Sequence, residues 1–313
     1  QLLNLVMFCR KVNIPFEVYF FTSERNHWGD TKTTKGFNHK NGDWYFKDFH
    51  LVNCLSHRMN KKQADLALKT LFHMGMYFDD RYTWNRRNAF DQDADALAAS
   101  NSYGIPNKYY LGNTPLNESL IYLNKLIPMY KKKYGIEKLT FITLTDGAGN
   151  YCRGKIIGGG DPYSDEEYHK KNVYQIGKTK FINDYSNDMT SNLLQHIKKT
   201  HKCNVIGFYV IKRVKRWDIE KYINNYKDYS DKINQYNKLR KELTRDKAIA
   251  VNADGYNKFF ILDGKKLGVE NFDMDDVEVK KGTPSEFKRI FGKSMANRLV
   301  SRVVLNKFIK EVA

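Results

Sequence analysis

Two stretches decide the reading of this chain: Leu111-Gly112-Asn113-Thr114-Pro115-Leu116-Asn117-Glu118-Ser119-Leu120, and Leu139-Thr140-Phe141-Ile142-Thr143-Leu144-Thr145-Asp146-Gly147. A Thr-Pro loop opens the first. From Leu116 to Tyr134 the apolar residues recur with helical period, so an amphipathic helix is expected. Lys131, Lys132 and Lys133 suit its negative end, and Gly135 suits its stop. The apolar run 139–144 reads as a buried strand closed by Asp146-Gly147. In an open α/β sheet, ligands sit beyond the carboxyl ends of the strands. Thr114 and Asp146 are both expected there, and a hydroxyl with a carboxylate makes a hard-oxygen set suited to Mg²⁺. Plainer roles exist for each. Thr114 can cap the helix with Pro115 at its first position, Asp146 can belong to an Asp-Gly turn, and Glu118 can serve the helix-start electrostatics.

Outward from this segment, helix and strand alternate. Residues 2–10 read as the end of a buried helix, 16–22 and 44–51 as strands, and 61–76 as a helix with Ala64, Leu68, Leu71 and Phe72 on one face. Residues 147–183 read as a hairpin or meander, 189–201 as a helix and 205–211 as a further apolar strand. Apolar strands alternating with helices predict a mainly parallel sheet with helices on both faces. Beyond it, 217–246 reads as a charged helical stretch, 247–267 as two short strands around Asp254-Gly255, and 284–312 as a basic amphipathic helix pair. The predicted division is therefore an α/β domain over 1–213 and a basic helical or α+β extension over 214–313.

The 313 residues include 41% hydrophobic and 14% aromatic side chains, enough to build a core. No stretch approaches the roughly 20 apolar residues of a membrane span. Cys9, Cys54, Cys152 and Cys203 are far apart and form no CxxC, which argues against a disulfide framework or zinc knuckle and fits a reducing, cytoplasmic setting. The net charge of +18 suits nucleic acid, anionic surfaces or acidic proteins. It is dispersed, however, as expected of a solvated Lys-rich surface. The chain opens in an apolar run, Leu2 to Phe8, that reads as a helix already under way, so a fragment of a longer protein is expected.

The pattern Asn113 to Glu118 with Leu144-Thr145-Asp146-Gly147 resembles two of the three elements of the metal-ion-dependent adhesion site of von Willebrand factor A (VWA) domains. In that family a DxSxS motif follows the first strand, a Thr sits in a later loop and an Asp follows a further strand. The chain resembles the VWA domains of cobaltochelatase CobT-like proteins, including bacteriophage-encoded ones. The resemblance covers about residues 1–213 and implies a Rossmann-like fold. It implies Thr114 and Asp146 as metal ligands, with Asn113, Asn117 and Gly147 near the metal on the partner-binding surface. The ion would be Mg²⁺, or Mn²⁺ or Ca²⁺. No DxSxS occurs near the start. The first strand and that motif are expected upstream of Gln1, and without them metal binding should be weak or absent. The implied function is a non-catalytic adaptor working with a MoxR- or CobS-type AAA+ ATPase, in the cytoplasm of a bacterial host if phage-encoded. A cobaltochelatase-type subunit and a structural phage assembly component are the family-based alternatives.

A nucleic-acid-binding protein on the same scaffold is the main competing reading. It rests on the +18 charge, the basic 284–312 segment, and possible contacts at Arg86, Arg87, Lys212, Arg213, Lys215 and Arg216. Other motifs carry little. The eight His residues form no HExxH. His50, Cys54 and His57 match no zinc spacing. Gly158-Gly159-Gly160-Asp161 lacks the Gly-Lys-Ser/Thr of a phosphate loop, and Asp91-Gln92-Asp93-Ala94-Asp95 lacks the Gly and final Glu of an EF-hand.

Overall fold

In the computed structural model, the described residues are 2–23, 44–45, 49–77, 114–145, 149, 155–156, 172–183, 188–211, 213–264 and 302–312. The chain divides into two compact units. One comprises Gln1–Phe20, Val52–Tyr110 and Gly264–Ala313; the other comprises Phe21–Leu51 and Leu111–Asp263.

The second unit is built on a four-stranded sheet of β4 (Thr140–Thr145), β8 (Asn204–Ile211), β9 (Ala248–Val251) and β10 (Lys258–Asp263), in the order β4-β8-β10-β9. β4 and β10 both run parallel to β8, and β9 is antiparallel to β10. The apolar run Val205 to Val210 puts β8 at the centre, and neither face of the strand is left to solvent: Val205, Ile206 and Phe208 are fully buried. The chain is thus a mixed α/β protein whose main sheet is mostly parallel. Two further pairs belong to this unit, β2 (Trp44–Tyr45) with β5 (Lys155–Ile156), and the hairpin of β6 (Asn172–Ile176) with β7 (Thr179–Asn183). Gly177, at φ +60°, makes the hairpin turn.

Helices α3 (Leu116–Tyr134) and α4 (Asp188–His201) pack together through Leu120, Leu123, Ile127, Leu193, Leu194 and Ile197 and rest on Val205 and Phe141. α3 stops as the sequence predicts: Gly135 adopts the left-handed conformation and its N–H donates to Lys131 O. Helices α5 (Arg216–Glu220) and α6 (Tyr229–Asp246) supply Ile219 and Leu243 to a second core over Ile249, Phe259 and Ile261, with Tyr209 at its border. Val205 and Tyr209 share one face of β8, since alternate residues point the same way, so both helix pairs cover the same face. Topology explains this. The sheet grows in one direction from β4 through β8 to β10, and right-handed crossovers then return on one side each time. The opposite face is buried too, with the Phe208 and Phe260 rings stacked 5.2 Å apart.

Gly207 lies under the helix-covered face. A Cβ there would overlap the Phe259 ring and come 2.7 Å from the Tyr256 ring. The missing side chain is the seat for two aromatic rings. Tyr256 crosses from this seat to β4, where Thr143 Oγ1 donates to its hydroxyl at 3.3 Å.

In the first unit, α1 (Leu2–Lys11), β1 (Glu17–Ser23), β3 (Phe49–Ser56), α2 (Lys61–Tyr77) and α7 (Arg302–Val312) are described, although β1 and β3 also run into the other unit's residues. β1 pairs with β3, and Val6, Leu55 and Leu68 form the core. Glu17, its side chain 7% exposed, accepts from Asn53 Nδ2 (2.7 Å), Ser56 Oγ (2.9 Å) and Arg58 Nε (3.2 Å). A carboxylate this buried is retained because its acceptor sites are filled.

Several sequence expectations differ from the structure. The division at 213/214 cuts through the main sheet, because β10 lies between β8 and β9. The 217–246 stretch is not one helix: residues 221–228 are non-helical and separate α5 from α6. The strand expected at 44–51 is a two-residue bridge followed by β3, which runs on to Ser56. Of the expected 284–312 helix pair, only α7 falls in the described residues.

Candidate functional site

The carboxyl edge of the parallel strands is where the sequence places its chemistry. β4 ends at Thr145, directly before Asp146. Asn113, Asp146 and Gly147 lie outside the described residues, as do Arg86, Arg87 and Lys212. Thr114, half-buried, precedes α3. The cap position of that helix is Pro115, with no side-chain cap hydrogen bond. Thr114 therefore does not cap the helix through its hydroxyl, and Pro115 stands one place earlier than the first helical position. Thr114 contributes its carbonyl instead, accepting from Leu116 N at 2.8 Å.

The first turn of α3 is buried on residues that are usually exposed at a helix start. Asn117 is 4% exposed, Glu118 5% and Ser119 4%. Ser119 Oγ donates back to Pro115 O at 2.9 Å, closing that turn on itself. Thr190, in the first turn of α4, donates from Oγ1 to Asn117 Oδ1 at 2.7 Å. Gly149, four residues past β4, is pressed against the same pair. A Cβ on Gly149 would lie 2.8 Å from Thr190 Oγ1 and 3.2 Å from Asn117 Oδ1. The segment leaving β4 thus meets the starts of α3 and α4 at one point. Two helix N-termini there also present positive dipole ends, which favour anionic groups.

Of the residues expected near the ligand, the structure brings Asn117 into this cluster. It adds Thr190 and Gly149, which sequence reasoning passed over. A lone Thr at a helix start carries no sequence signal of its own. Glu118, read as helix-start electrostatics, is a buried carboxylate next to Asn117 in the chain. Among the described residues, no group of three or more His, Cys, Asp or Glu is gathered to hold a metal. Asp146, the carboxylate of the expected set, is outside them. Thr114, the other residue of that set, is half-buried.

A pair of carboxylates organises the far side of the same edge. Asp263 ends β10, 3% exposed, and its Oδ2 accepts from Val214 N at 3.4 Å. Asp218, 1% exposed, accepts from Lys215 N at 2.8 Å. Two buried acids therefore grip consecutive amides of the loop leaving β8. Arg213, Lys215 and Arg216 of that loop are exposed.

At the other end of the α3–α4 pair, His201 Nε2 is 3.2 Å from Asn124 Oδ1, and Lys131 Nζ donates to His201 O at 3.2 Å. Burial, then His196 and Lys131, holds the His201 imidazole below its ordinary range. Burial also raises the Cys9, Cys54 and Cys203 thiols, Cys54 to about 12.

No protein-family model matches the chain, and neither a curated protein nor a solved structure matches it. No described helix is long and apolar enough to cross a membrane.

Proposed function

We propose that the chain is a VWA-type binding domain without catalytic activity of its own, which engages a partner protein at the carboxyl edge of its parallel sheet. The partner proposed is an AAA+ ATPase of the MoxR or CobS type. Thr114 and Asp146 would hold a divalent cation, Mg²⁺ foremost, together with the DxSxS motif the family carries. When bound, the cation would offer an open coordination position to an acidic side chain of the partner. Asn113, Asn117 and Gly147 would border that contact.

The observation that carries this reading is the junction of Gly149 with Asn117 and Thr190. It ties the segment leaving β4 to the start of α3, the two places from which Asp146 and Thr114 come. The buried first turn of α3 supports it further, since a rigid support is what a positioned ligand hydroxyl requires.

The test is capture of a MoxR- or CobS-type ATPase, with Mg²⁺ or with chelator, by the immobilised protein extended upstream of Gln1 to include the DxSxS motif expected there. Capture should depend on Mg²⁺ and be lost in Asp146→Ala and Thr114→Ala. If Asp146→Ala leaves both metal binding and ATPase capture intact, the proposal fails.

A further inference from the structure

A second surface, on the opposite half of the same unit, displays aromatic rings to solvent. Trp217 is 58% exposed, Tyr226 46% and Tyr229 69%. All three come from α5, the 221–228 loop and the start of α6. Exposed rings grouped in this way mark a contact surface more often than chance exposure does.

The rings are interleaved with cations. Lys221 Nζ lies 5.3 Å from the Tyr209 ring, 5.6 Å from Trp217 and 5.0 Å from Tyr222. Arg216 stands over Tyr236 at 5.1 Å, and Lys232 over Tyr226 at 5.1 Å. The acids nearby are turned to internal work. Asp218 is buried, Glu220 pairs with Arg216, Asp228 caps α6 by accepting from Asp231 N, and Asp231 accepts from Lys227 N. The exposed cations Arg213, Lys215, Lys221 and Lys227 outnumber the one exposed carboxylate among these acids, Asp228.

The surface is also braced. Ile219, Ile223 and Leu243 anchor it to the sheet through Ile249, Phe259 and Ile261. Gln235 Nε2 donates to Asn225 O at 2.8 Å, fixing the loop between Tyr222 and Tyr226. Rings held in place before a ligand arrives lose little freedom on binding.

We propose that this α5–α6 surface binds single-stranded nucleic acid, with bases stacking on Trp217, Tyr226 and Tyr229 and phosphates meeting the lysines and arginines between them. Every base offers a π-face, and every linkage a negative charge, so alternating rings and cations match a single strand without selecting its sequence. A duplex hides its base faces and leaves the rings without partners. A lipid surface fits less well: between 213 and 246 no Leu, Ile, Val, Met or Phe is exposed, so nothing aliphatic is offered to hydrocarbon. The inference is independent of the metal-edge proposal.

The test is a fluorescence-anisotropy titration of the full chain with labelled oligothymidine and oligouridine of about twelve nucleotides, at low and raised salt, with tryptophan fluorescence followed in parallel. Both strands should bind, with affinity falling as salt rises, and the fluorescence should be quenched. Trp217→Ala should weaken binding about 5- to 150-fold and remove part of the quench, whereas Trp217→Phe should keep most of the affinity. Lys221→Gln should reduce the salt dependence. Circular dichroism should show each variant folded, as expected for exposed side chains. The proposal is overturned if neither strand binds at low salt, or if Trp217→Ala and Tyr229→Ala bind as tightly as the parent. Preference for polyglutamate or anionic vesicles over both oligonucleotides overturns it equally.

Discussion

Thr190 Oγ1 and Asn117 Oδ1 lie 2.7 Å apart across the first turns of α4 and α3. This hydrogen bond links the starts of the two helices that flank the candidate edge. Thr190→Val keeps the shape and removes the donor. It should cost about 1–2 kcal/mol, the net bond plus part of the desolvation of Asn117, as read from urea denaturation. ATPase capture should weaken with it if the proposed edge is the contact.

Gly207 predicts a larger effect. A methyl group placed there meets the Phe259 and Tyr256 rings. Gly207→Ala should destabilise by about 1–3 kcal/mol through overpacking. Adding Phe259→Leu should recover part of the loss, a non-additivity that a thermal-melt double-mutant cycle detects.

Gly255 carries two constraints at once. Its φ is +87°, and a Cβ would lie 2.8 Å from the Ser191 carbonyl oxygen and 2.7 Å from Leu194 Cβ. Gly255→Ala should therefore cost at least about 1–3 kcal/mol. Gly135→Ala, with a positive φ but open space, should cost less. Chemical denaturation of the two variants side by side checks the order.

How far the sequence reveals the molecule follows from which interactions are local. The helix at Leu116–Tyr134 and the strand at Asn204–Ile211 were legible because each carries its own periodicity, and Gly135 announced its stop. The placement of β10 was not. Nothing in Lys258–Asp263 says that it pairs with β8, some fifty positions earlier, so residues after 213 read as an appendage. The same limit applies at the candidate edge. Thr114 and Asn117 belong to a recognisable string, whereas Thr190 matters only through its distance to Asn117. Trp217 and Tyr229 read as parts of one long charged helix, and the break at 221–228 that displays them is a tertiary outcome.

Histidine titration gives a pH dependence of defined sign. Burial lowers His196, while burial followed by His196 and Lys131 lowers His201. Their folded values lie below the unfolded value of about 6.5. Between the two, the unfolded chain binds more protons, so stability is complete above about pH 6.5 and falls as pH drops through the folded values. Urea midpoints measured across this range should decline on acidification, and His201→Gln should flatten the decline. A midpoint that rises toward acid in the parent chain would refute the assignment.

Thiol reactivity follows from burial. Cys54, raised to about 12, donates from Sγ to Val18 O at 3.4 Å, and Cys9 and Cys203 are buried. Iodoacetamide near neutral pH should leave all three unmodified in the folded chain and label them in denaturant, since the thiolate is the reactive form. Peptide mass mapping reads this directly. Labelling of folded Cys54 at the denatured rate would contradict it.

The position of β10 between β8 and β9 has a consequence for how the protein is made. While the chain emerges during synthesis, β8 finds β4 already present on one side, but its other edge waits for residues 258–263. Until then a row of unpaired amides and carbonyls lies open along a strongly apolar strand, the kind of edge on which chains aggregate. A chain stopped at residue 213 would keep that edge exposed permanently. Fragments ending there should precipitate, and those carried through Asp263 should stay in solution.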